Sequence, residues 1–316
     1  MTETAAILDC ASPNHKSFAT ELVLRVTPAT LIRRSEPLAK RTTLRVGGPA
    51  EVYVEPASEA DLVEVVKCAA ACGVKFFVLG RGSNLLVRDG GIRGLVISLA
   101  HPTFSSVEVN GERLRCGAGA KLKQVAIEAK RTGLSGVEFL EGIPGSVGGA
   151  LRMNAGAMGS WTFAALESLR FMDYAGQIYE RPVAEVPVEY RACPFLKSHI
   201  ALGVVFKCQP TTREVVEQRM NEFSAKRWGS QPAAPSAGCC FKNPATIPAG
   251  KLIDELGLKG FRLGGAMVSL EHGNFIVNDG RATAQDVLNL MALIQVRAKT
   301  ERGIELHPEV EIVGED

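Results

Sequence analysis

Two glycine-rich segments of this 316-residue chain have the composition of loops that hold a phosphorylated ligand. The first, Gly80-Arg81-Gly82-Ser83-Asn84, follows an apolar run, and the second, residues 142–149, contains four glycines and a proline. Glycine is used where the main chain takes a positive φ or approaches a ligand closely, and exposed N–H groups in such loops can bind phosphate. Two loops of this kind favour a ligand with a pyrophosphate, although each loop alone is equally compatible with a tight turn.

Hydrophobic periodicity, helix caps and turn residues predict the helices and strands around these loops. Ser58 and Asp61 form the capping pair of a helix predicted over residues 58–71, and a buried strand over residues 74–79 then leads into the first loop. A helix over residues 122–131 precedes the second loop. Strands are predicted at residues 85–87 and 95–99, and hairpins at residues 107–115 and 169–179.

The character of the chain changes near residue 210, where a long polar helix is predicted over residues 213–228. A proline-containing link follows at residues 232–235 and is a plausible domain boundary. Beyond it the patterns predict helices at residues 249–256 and 283–303 and strands at residues 266–270, 275–277 and 309–313. Helices and strands mix without strict alternation, so the fold class is α+β. The chain has no Gly-x-Gly-x-x-Gly segment, so a Rossmann dinucleotide site is not supported.

Bulk composition excludes several classes of protein. The net charge of +2 is too small to argue for nucleic acid or a membrane surface as a partner. No apolar run reaches the ~18 residues of a membrane span, and the N-terminus does not resemble a secretory signal. The eight cysteines form no Cys-x-x-Cys pair and histidine is scarce, so no metal site is expected. Reduced thiols in a cytoplasmic protein fit this pattern best.

Seven segments in a fixed order make the chain resemble the UDP-N-acetylenolpyruvoylglucosamine reductase family over residues 38–314. They are residues 42–50 (TTLRVGGPA), 79–86 (LGRGSNLL), 142–149 (GIPGSVGG), 154–157 (NAGA), 190–191 (YR), 250–253 (GKLI) and 308–310 (PEV). Each is weak alone, but the order and spacing are specific. No insertion is visible after residue 191, so the chain is similar to the subgroup that lacks the extra tyrosine-bearing loop.

The resemblance implies an FAD-binding fold like that of vanillyl-alcohol oxidase, with two FAD-binding subdomains and a smaller α+β substrate-binding domain. It implies that NADPH reduces the enolpyruvyl ether of a UDP-sugar through FAD, giving UDP-N-acetylmuramate, a peptidoglycan precursor. The residues implied to bind FAD are Gly80, Arg81, Gly82, Ser83, Asn84, Gly142, Ile143, Pro144, Gly145, Ser146, Gly148, Gly149, Asn154 and Gly156.

The resemblance also assigns residues to the substrate. Arg191 is implied to grip the substrate carboxylate, for which a guanidinium fork is suited. Glu309 is implied to lie beside the negative charge that develops in the reaction, and only one of Glu309 and Glu311 is expected to face the flavin. Four further residues are implied to contact the UDP-sugar: Tyr190, Arg227, Gln231 and Lys251.

The proton donor departs from the pattern of the family, which usually has a serine where this chain has Cys239. A thiol, with a reference pKa of about 8.5, is a chemically reasonable acid for this step. Ser236, three residues upstream, is the alternative. Cys240 is expected to point the opposite way, as adjacent residues do in extended chain.

The predicted organisation is a loose leader (residues 1–27), an FAD-binding region (residues 28–212, with 304–316 packing on it) and a substrate-binding domain (residues 213–303). The expected partner is a small-molecule UDP-sugar, and the expected state is a monomer or weak oligomer. Two other functions remain open at this point: a related flavin oxidase acting on another substrate, and a catalytically silent protein that binds a nucleotide sugar.

Overall fold

The computed structural model describes residues 15–316. The α-helices are α1 (His15–Arg25), α2 (Glu59–Ala71), α3 (Leu122–Arg131), α4 (Val147–Arg152), α5 (Arg213–Trp228), α6 (Ala249–Glu255) and α7 (Ala284–Arg302). The strands are β1 (Leu31–Pro37), β2 (Pro49–Glu55), β3 (Phe76–Leu79), β4 (Leu85–Val87), β5 (Ile92–Ser98), β6 (Val107–Asn110), β7 (Arg113–Gly117), β8 (Leu134–Ser135), β9 (Gly156–Ala157), β10 (Ser160–Trp161), β11 (Leu166–Asp173), β12 (Ile178–Pro182), β13 (His199–Lys207), β14 (Gln209–Pro210), β15 (Ser236–Cys239), β16 (Arg262–Leu263), β17 (Ala266–Val268), β18 (Phe275–Asn278) and β19 (Glu311–Val313).

Three larger sheets organise the chain. The first has the order β1-β2-β5-β3, with β1 and β2 antiparallel and the other pairs parallel. The second is antiparallel, in the order β12-β11-β13-β7-β6. The third, also antiparallel, has the order β15-β18-β17-β16. The last strand, β19, returns to pair in parallel with β4, directly after the first glycine loop.

The helix signals in the sequence are confirmed. Ser58 caps α2 by accepting from the N–H of Asp61. Thr283 and Asp286 form a reciprocal capping box on α7, which ends at Gly303 in the left-handed conformation. Both predicted hairpins are also present, as β6–β7 and β11–β12. No helix within residues 15–316 combines the length and the apolarity that crossing a bilayer requires.

The predicted loose leader needs correction where the structure describes it, and its first fourteen residues lie outside the described part. Residues 15–25 form α1, whose Phe18, Ala19 and Leu22 are buried in the largest hydrophobic core. Helix α1 packs on α2, which buries its apolar face. The segment is too short for its hydrophobic periodicity to predict this helix from the sequence.

The hydrophobic cores do not divide at the predicted boundary of residue 213. Val216 and Met220 of α5 belong to the core of the FAD-binding region, because α5 packs on α3 and on the segment before the second glycine loop. Leu306 and Val310 instead belong to a second core, which is built around α6, α7, β17 and β18.

Asp89, in the loop after β4, joins these two parts of the molecule. One of its carboxylate oxygens accepts from the N–H of Ala284 and the other from the N–H of Gln285, each at 2.9 Å. Both donors lie at the N-terminus of α7, where a carboxylate is favoured by unpaired N–H groups and by the helix dipole. This contact fixes the third sheet and its helices relative to the glycine loops.

Candidate active site

A cavity of about 1440 Å³ lies between the two glycine loops, the strand β15 and the segment before β19. Arg191, Cys239 and Glu309 all line it, although they are far apart in sequence. Most of the residues predicted to bind a cofactor line it as well: residues 80–84, 142–146, 148, 149 and 156. The cavity is therefore the place at which the residues predicted from the sequence converge.

The two glycine loops contact each other and form one wall. A Cβ atom added to Gly80 would lie 3.0 Å from Oγ of Ser146 and 3.6 Å from Cα of Gly149. Gly82 has a φ of +60°, and a Cβ atom there would lie 2.8 Å from Cα of Thr42. A side chain at Gly80 would push the two loops apart, and one at Gly82 would push the first loop away from Thr42.

The two loops differ in how their main-chain N–H groups are used. In the second loop the N–H groups of Gly145, Val147 and Gly148 already bond to carbonyl oxygens of the protein. In the first loop, by contrast, the N–H groups of Arg81, Gly82 and Ser83 donate to no other described residue. The first loop can therefore supply main-chain donors to a phosphate, whereas the glycines of the second loop mainly permit close approach.

Thr43 connects the first glycine loop to β15. Its hydroxyl donates to the carbonyl oxygen of Ser236 at 2.7 Å and lies 3.3 Å from that of Gly82. Gly238, with a φ of +77°, lies beside Ser83, since an added Cβ would be 3.8 Å from the Ser83 oxygen. The strand that carries Cys239 is thus held against the loop.

The backbone of Glu309 is held on two sides. Its N–H donates to the carbonyl oxygen of Cys240 at 2.8 Å, and its own carbonyl accepts from the Asn84 side-chain amide at 3.0 Å. The main chain of Asn84 also accepts from the N–H of Glu311. Asn84 lines the cavity as predicted, but its side chain is bound to the protein and positions Glu309.

The carboxylate of Glu309 meets Arg191, with Nε of Arg191 3.2 Å from Oε1 of Glu309. The Arg191 Nε–H does not point at this oxygen and has no hydrogen-bond partner in the described part of the chain, while one terminal nitrogen donates to the carbonyl oxygen of Gly156. Arg191 lies at the centre of a tight turn with a φ of +56°. A non-glycine residue held in this region is strained, and such strain is frequent at functional sites.

Burial governs the acidity of the remaining groups. It raises the pKa of the Cys239 thiol to about 11, with a further increase from the charge of Glu309 and an opposing effect of Arg191. Burial also raises the pKa of Glu309, against the opposing charges of Arg191 and Lys242. The neighbouring Cys240 is buried in the second core, so the two cysteines do point in opposite directions as predicted. Each of the seven cysteines in the described chain is a free thiol.

The cavity has an excess of positive charge. Eight lysine or arginine residues line it, against two glutamates. Arg227 is the most informative of these cations: burial lowers its pKa, and its buried Nε has no hydrogen-bond partner among the described residues. A buried donor without a partner is costly, so this half-buried position, beside Gly142, is suited to an anionic ligand. Gln231 lines the same cavity.

Three predicted site residues lie elsewhere. Lys251 is on the exposed face of α6, 3.9 Å from Glu255, and does not line the cavity, because the inward face of α6 is formed by Ala249, Leu252 and Ile253. Asn154 and Tyr190 line an adjoining cavity of about 470 Å³, which shares Arg191 as a wall. The Asn154 side chain is bonded to the main chain of Glu189 and Phe163, so it stabilises the turn that carries Arg191.

Glu311 also departs from expectation, since both Glu309 and Glu311 line the cavity. The expectation that only one of them faces the flavin is wrong, because residues two apart in an extended segment share a face. Glu311 pairs with Arg152 at 3.5 Å, a partner that sequence analysis missed. Thr43 was also missed, although it lies within one of the segments that carried the family resemblance.

Comparisons with known proteins identify the relatives of this chain. A family model described as an FAD binding domain matches residues 50–181, and one described as the C-terminal domain of UDP-N-acetylenolpyruvoylglucosamine reductase matches residues 231–313. A UDP-N-acetylenolpyruvoylglucosamine reductase from Bacillus licheniformis is 42% identical over 287 residues, which cover 90% of this chain and 94% of that protein. One from Clostridium tetani is 37% identical over 305 residues, covering 96% and 98%.

A solved structure is similar over nearly the same length. The crystal structure of UDP-N-acetylenolpyruvylglucosamine reductase from Thermus caldophilus matches with a TM-score of 0.79 and 41% identity, covering 90% of this chain and 99% of that one. Together with the matched FAD-binding domain, this confirms the prediction of an α+β fold that binds FAD.

Proposed function

Because the chain belongs to the UDP-N-acetylenolpyruvoylglucosamine reductase family, we propose that it reduces the enolpyruvyl ether of UDP-N-acetyl-3-O-(1-carboxyvinyl)glucosamine to UDP-N-acetylmuramate. NADPH is the hydride donor, and the product enters peptidoglycan precursor synthesis. The observation that carries the proposal is the meeting of Arg191, Glu309 and Cys239 at one cavity that both glycine loops line.

The cavity fits FAD as the resident cofactor. The free N–H groups of residues 81–83 would hold its pyrophosphate, and the close contact between Gly80 and Ser146 leaves room for it to approach the main chain. When bound, FAD supplies the hydride transfer between NADPH and substrate, and the protein supplies placement and electrostatics.

Arg191 is proposed to bind the carboxylate of the enolpyruvyl group. A hydride delivered to the β carbon of that group leaves negative charge on the α carbon and in the carboxylate. A guanidinium held beside these atoms stabilises the charge as it develops, most strongly in a partly buried site. Arg191 lines the cavity beside Glu309, where its guanidinium can meet the substrate carboxylate.

Cys239 is proposed to deliver the proton to the α carbon. A thiol with a pKa of about 11 remains protonated at neutral pH, so the proton is present when the charge appears. The S–H bond breaks and a C–H bond forms, and the resulting thiolate is stabilised by Arg191 until solvent protonates it. Ser236 also lines the cavity and is the alternative donor; we prefer Cys239 because its thiol lies beside both Glu309 and Arg191.

Glu309 is proposed to orient Arg191 and to keep the Cys239 thiol protonated. Arg227 and Gln231 are proposed to contact the diphosphate of the nucleotide, since both line the cavity and the Nε–H of Arg227 has no hydrogen-bond partner among the described residues. Tyr190 remains a proposed substrate contact at the entrance to the adjoining cavity. The seven free thiols of the described chain favour a reducing compartment, and we propose the cytoplasm.

The experiment that tests this function separates the two half-reactions. The purified protein is reduced with NADPH without oxygen, and the enolpyruvyl nucleotide is then added while flavin absorbance is followed. We expect rapid return of the oxidised spectrum, with UDP-N-acetylmuramate as product. Cys239→Ala should be reduced normally and reoxidised about 10²–10⁴-fold more slowly, the usual contribution of a placed acid.

Other outcomes point to other functions. Reoxidation by oxygen with a simple alcohol as reductant would identify a flavin oxidase instead. A protein that binds the nucleotide sugar but never returns to the oxidised state would be a binding protein only. Reoxidation of Cys239→Ala at the rate of the parent protein would remove Cys239 from the mechanism while leaving the reductase activity standing.

A further inference from the structure

Three side chains with metal-binding atoms meet where α1 packs on α2, outside the candidate active site. Glu21 comes from α1, Cys68 lies in α2, and Cys72 is the C-cap of α2. One ligand atom of each lies within 4.8 Å of the other two. Cys68 is fully buried, while Glu21 and Cys72 are partly exposed, so the cluster has a closed floor and an opening to solvent.

We propose that Glu21, Cys68 and Cys72 form a binding site for one zinc ion, with the fourth ligand position open to water. Two ligands at positions i and i+4 share one face of a helix, which is also the spacing of the paired histidines in helical zinc motifs. The third ligand comes from a different helix, so the ion would join α1 to α2. Thiolate sulfur and carboxylate oxygen are both ordinary ligands of zinc.

The observed spacing agrees with tetrahedral geometry. Zinc–sulfur bonds of about 2.3 Å and zinc–oxygen bonds of about 2.1 Å, at a tetrahedral angle, separate sulfur from oxygen by about 3.6 Å. Sγ of Cys72 lies 3.5 Å from Oε2 of Glu21, where its thiol donates to the carboxylate. A metal ion can replace that thiol proton with little movement of either side chain.

The charges around the cluster also suit a cation bound by two thiolates. Binding would break two S–H bonds, form two Zn–S bonds and one Zn–O bond, and release two protons to solvent. The ion and its three anionic ligands would then carry a net charge of −1. Arg25 bonds to Oε1 of Glu21, the oxygen that does not face Cys72, and would neutralise this charge while orienting the carboxylate. Glu64 is a further charged neighbour of Arg25.

This site was not visible in the sequence. The cysteines are four residues apart and not three, and Glu21 lies 47 residues before Cys68. Only the packing of α1 on α2 brings the carboxylate to the thiols. The cysteine spacing alone predicted no metal site, and the proposed site depends on the contact between α1 and α2.

The test uses the full-length protein, reduced and freed of metal, and zinc as the probe. Titration against a chromophoric chelator should show one zinc bound per chain, with release of about two protons near neutral pH. Cadmium should produce the ultraviolet absorption of a thiolate–cadmium complex. Cys68→Ser and Cys72→Ser should each weaken zinc binding at least about 100-fold, and Glu21→Gln at least about tenfold.

Cys208→Ser is the matched control, because Cys208 is a buried thiol that does not belong to this cluster. It should bind zinc like the parent protein. Glu21 and Cys72 are partly exposed, so their variants should keep the parent circular dichroism spectrum. The proposal is wrong if the reduced parent protein takes up no more zinc than a Cys68→Ser/Cys72→Ser double variant. It is also wrong if air oxidation joins the two cysteines in a disulfide and the reduced protein still binds no zinc.

Discussion

The raised pKa of Cys239 makes a prediction about the pH dependence of substrate reduction. The proposed reaction needs the protonated thiol, so the rate should be constant at low pH and fall as the pH rises through the thiol pKa. That pKa is about 11 in the folded protein, because the thiol is buried beside Glu309. At pH 9.5 such a thiol is still about 97% protonated, whereas a thiol of the ordinary pKa, about 8.5, would be only about 9% protonated.

The assay measures the second half-reaction alone. Protein reduced beforehand with NADPH is mixed with the enolpyruvyl nucleotide in a stopped-flow instrument at pH values from 7 to 10.5, and the rate of flavin reoxidation is recorded. The rate at pH 9.5 should be lower than its plateau by no more than about 10%, and should be roughly tenfold above the rate expected for an unperturbed thiol. Cys239→Ser is the matched control, since a serine hydroxyl does not titrate in this range and its profile should stay flat to the highest pH.

Two results would refute this reasoning. A fall in rate centred near pH 8.5 would mean that the thiol is not held in the buried environment that the structure gives it. An identical alkaline fall in the parent protein and in Cys239→Ser would assign the titration to another group. In either case burial beside Glu309 could not be the reason that the proton is retained.

Three further predictions concern the neighbours of Cys239 and the ligand-binding loops. Glu309→Gln should shift the alkaline fall in reoxidation rate to lower pH, because the Glu309 charge is the second cause of the raised thiol pKa; an unshifted profile would contradict this. Gly82→Ala should weaken FAD binding by the apoprotein about tenfold or more, since φ is +60° and the new methyl would meet Thr42 at 2.8 Å. Gly111→Ala is its control, with a similar φ of +57° and open space around it. Equal FAD affinities in the two variants would contradict the proposal that the first glycine loop binds FAD. Arg227→Ala should weaken UDP binding measured by calorimetry about tenfold or more without lowering the free energy of unfolding in urea, because its Nε has no hydrogen-bond partner within residues 15–316; unchanged UDP affinity would exclude the proposed contact.

Local signals in the sequence predicted most of the elements. The capping pair at Ser58 and the capping box at Thr283 each act within four residues, and both appear in the structure as expected. The hairpin at residues 107–115 is also present, but its turn is Gly111-Glu112 and not Asn-Gly, because Asn110 ends β6 and pairs with Arg113. The glycine loops were recognisable for the same reason, since positive φ and close approach are demands on single residues. These local signals could not predict which distant segment each loop contacts.

The errors came from contacts between distant segments. Helix α1 is short and owes its order to burial against α2, so the segment looked like a leader. Lys251 opens a helix, as predicted, but the orientation of that helix turns the side chain to solvent. Asn84 sits in the predicted loop, yet its amide binds the carbonyl of Glu309, 225 residues away. No pattern within one segment encodes such distances.

The position of Asn84 and Thr43 has a consequence for how the site is assembled. Thr43 bonds to the main chain of both Gly82 and Ser236, and Asn84 bonds to that of Glu309, which in turn bonds to Cys240. The loop proposed to hold the pyrophosphate is therefore also the support against which the acid and the carboxylate are placed. Because these bonds use main-chain atoms, the side chain at position 239 is free to be serine or cysteine without changing its placement, and the protein can exchange the proton donor while it keeps the geometry of the reaction.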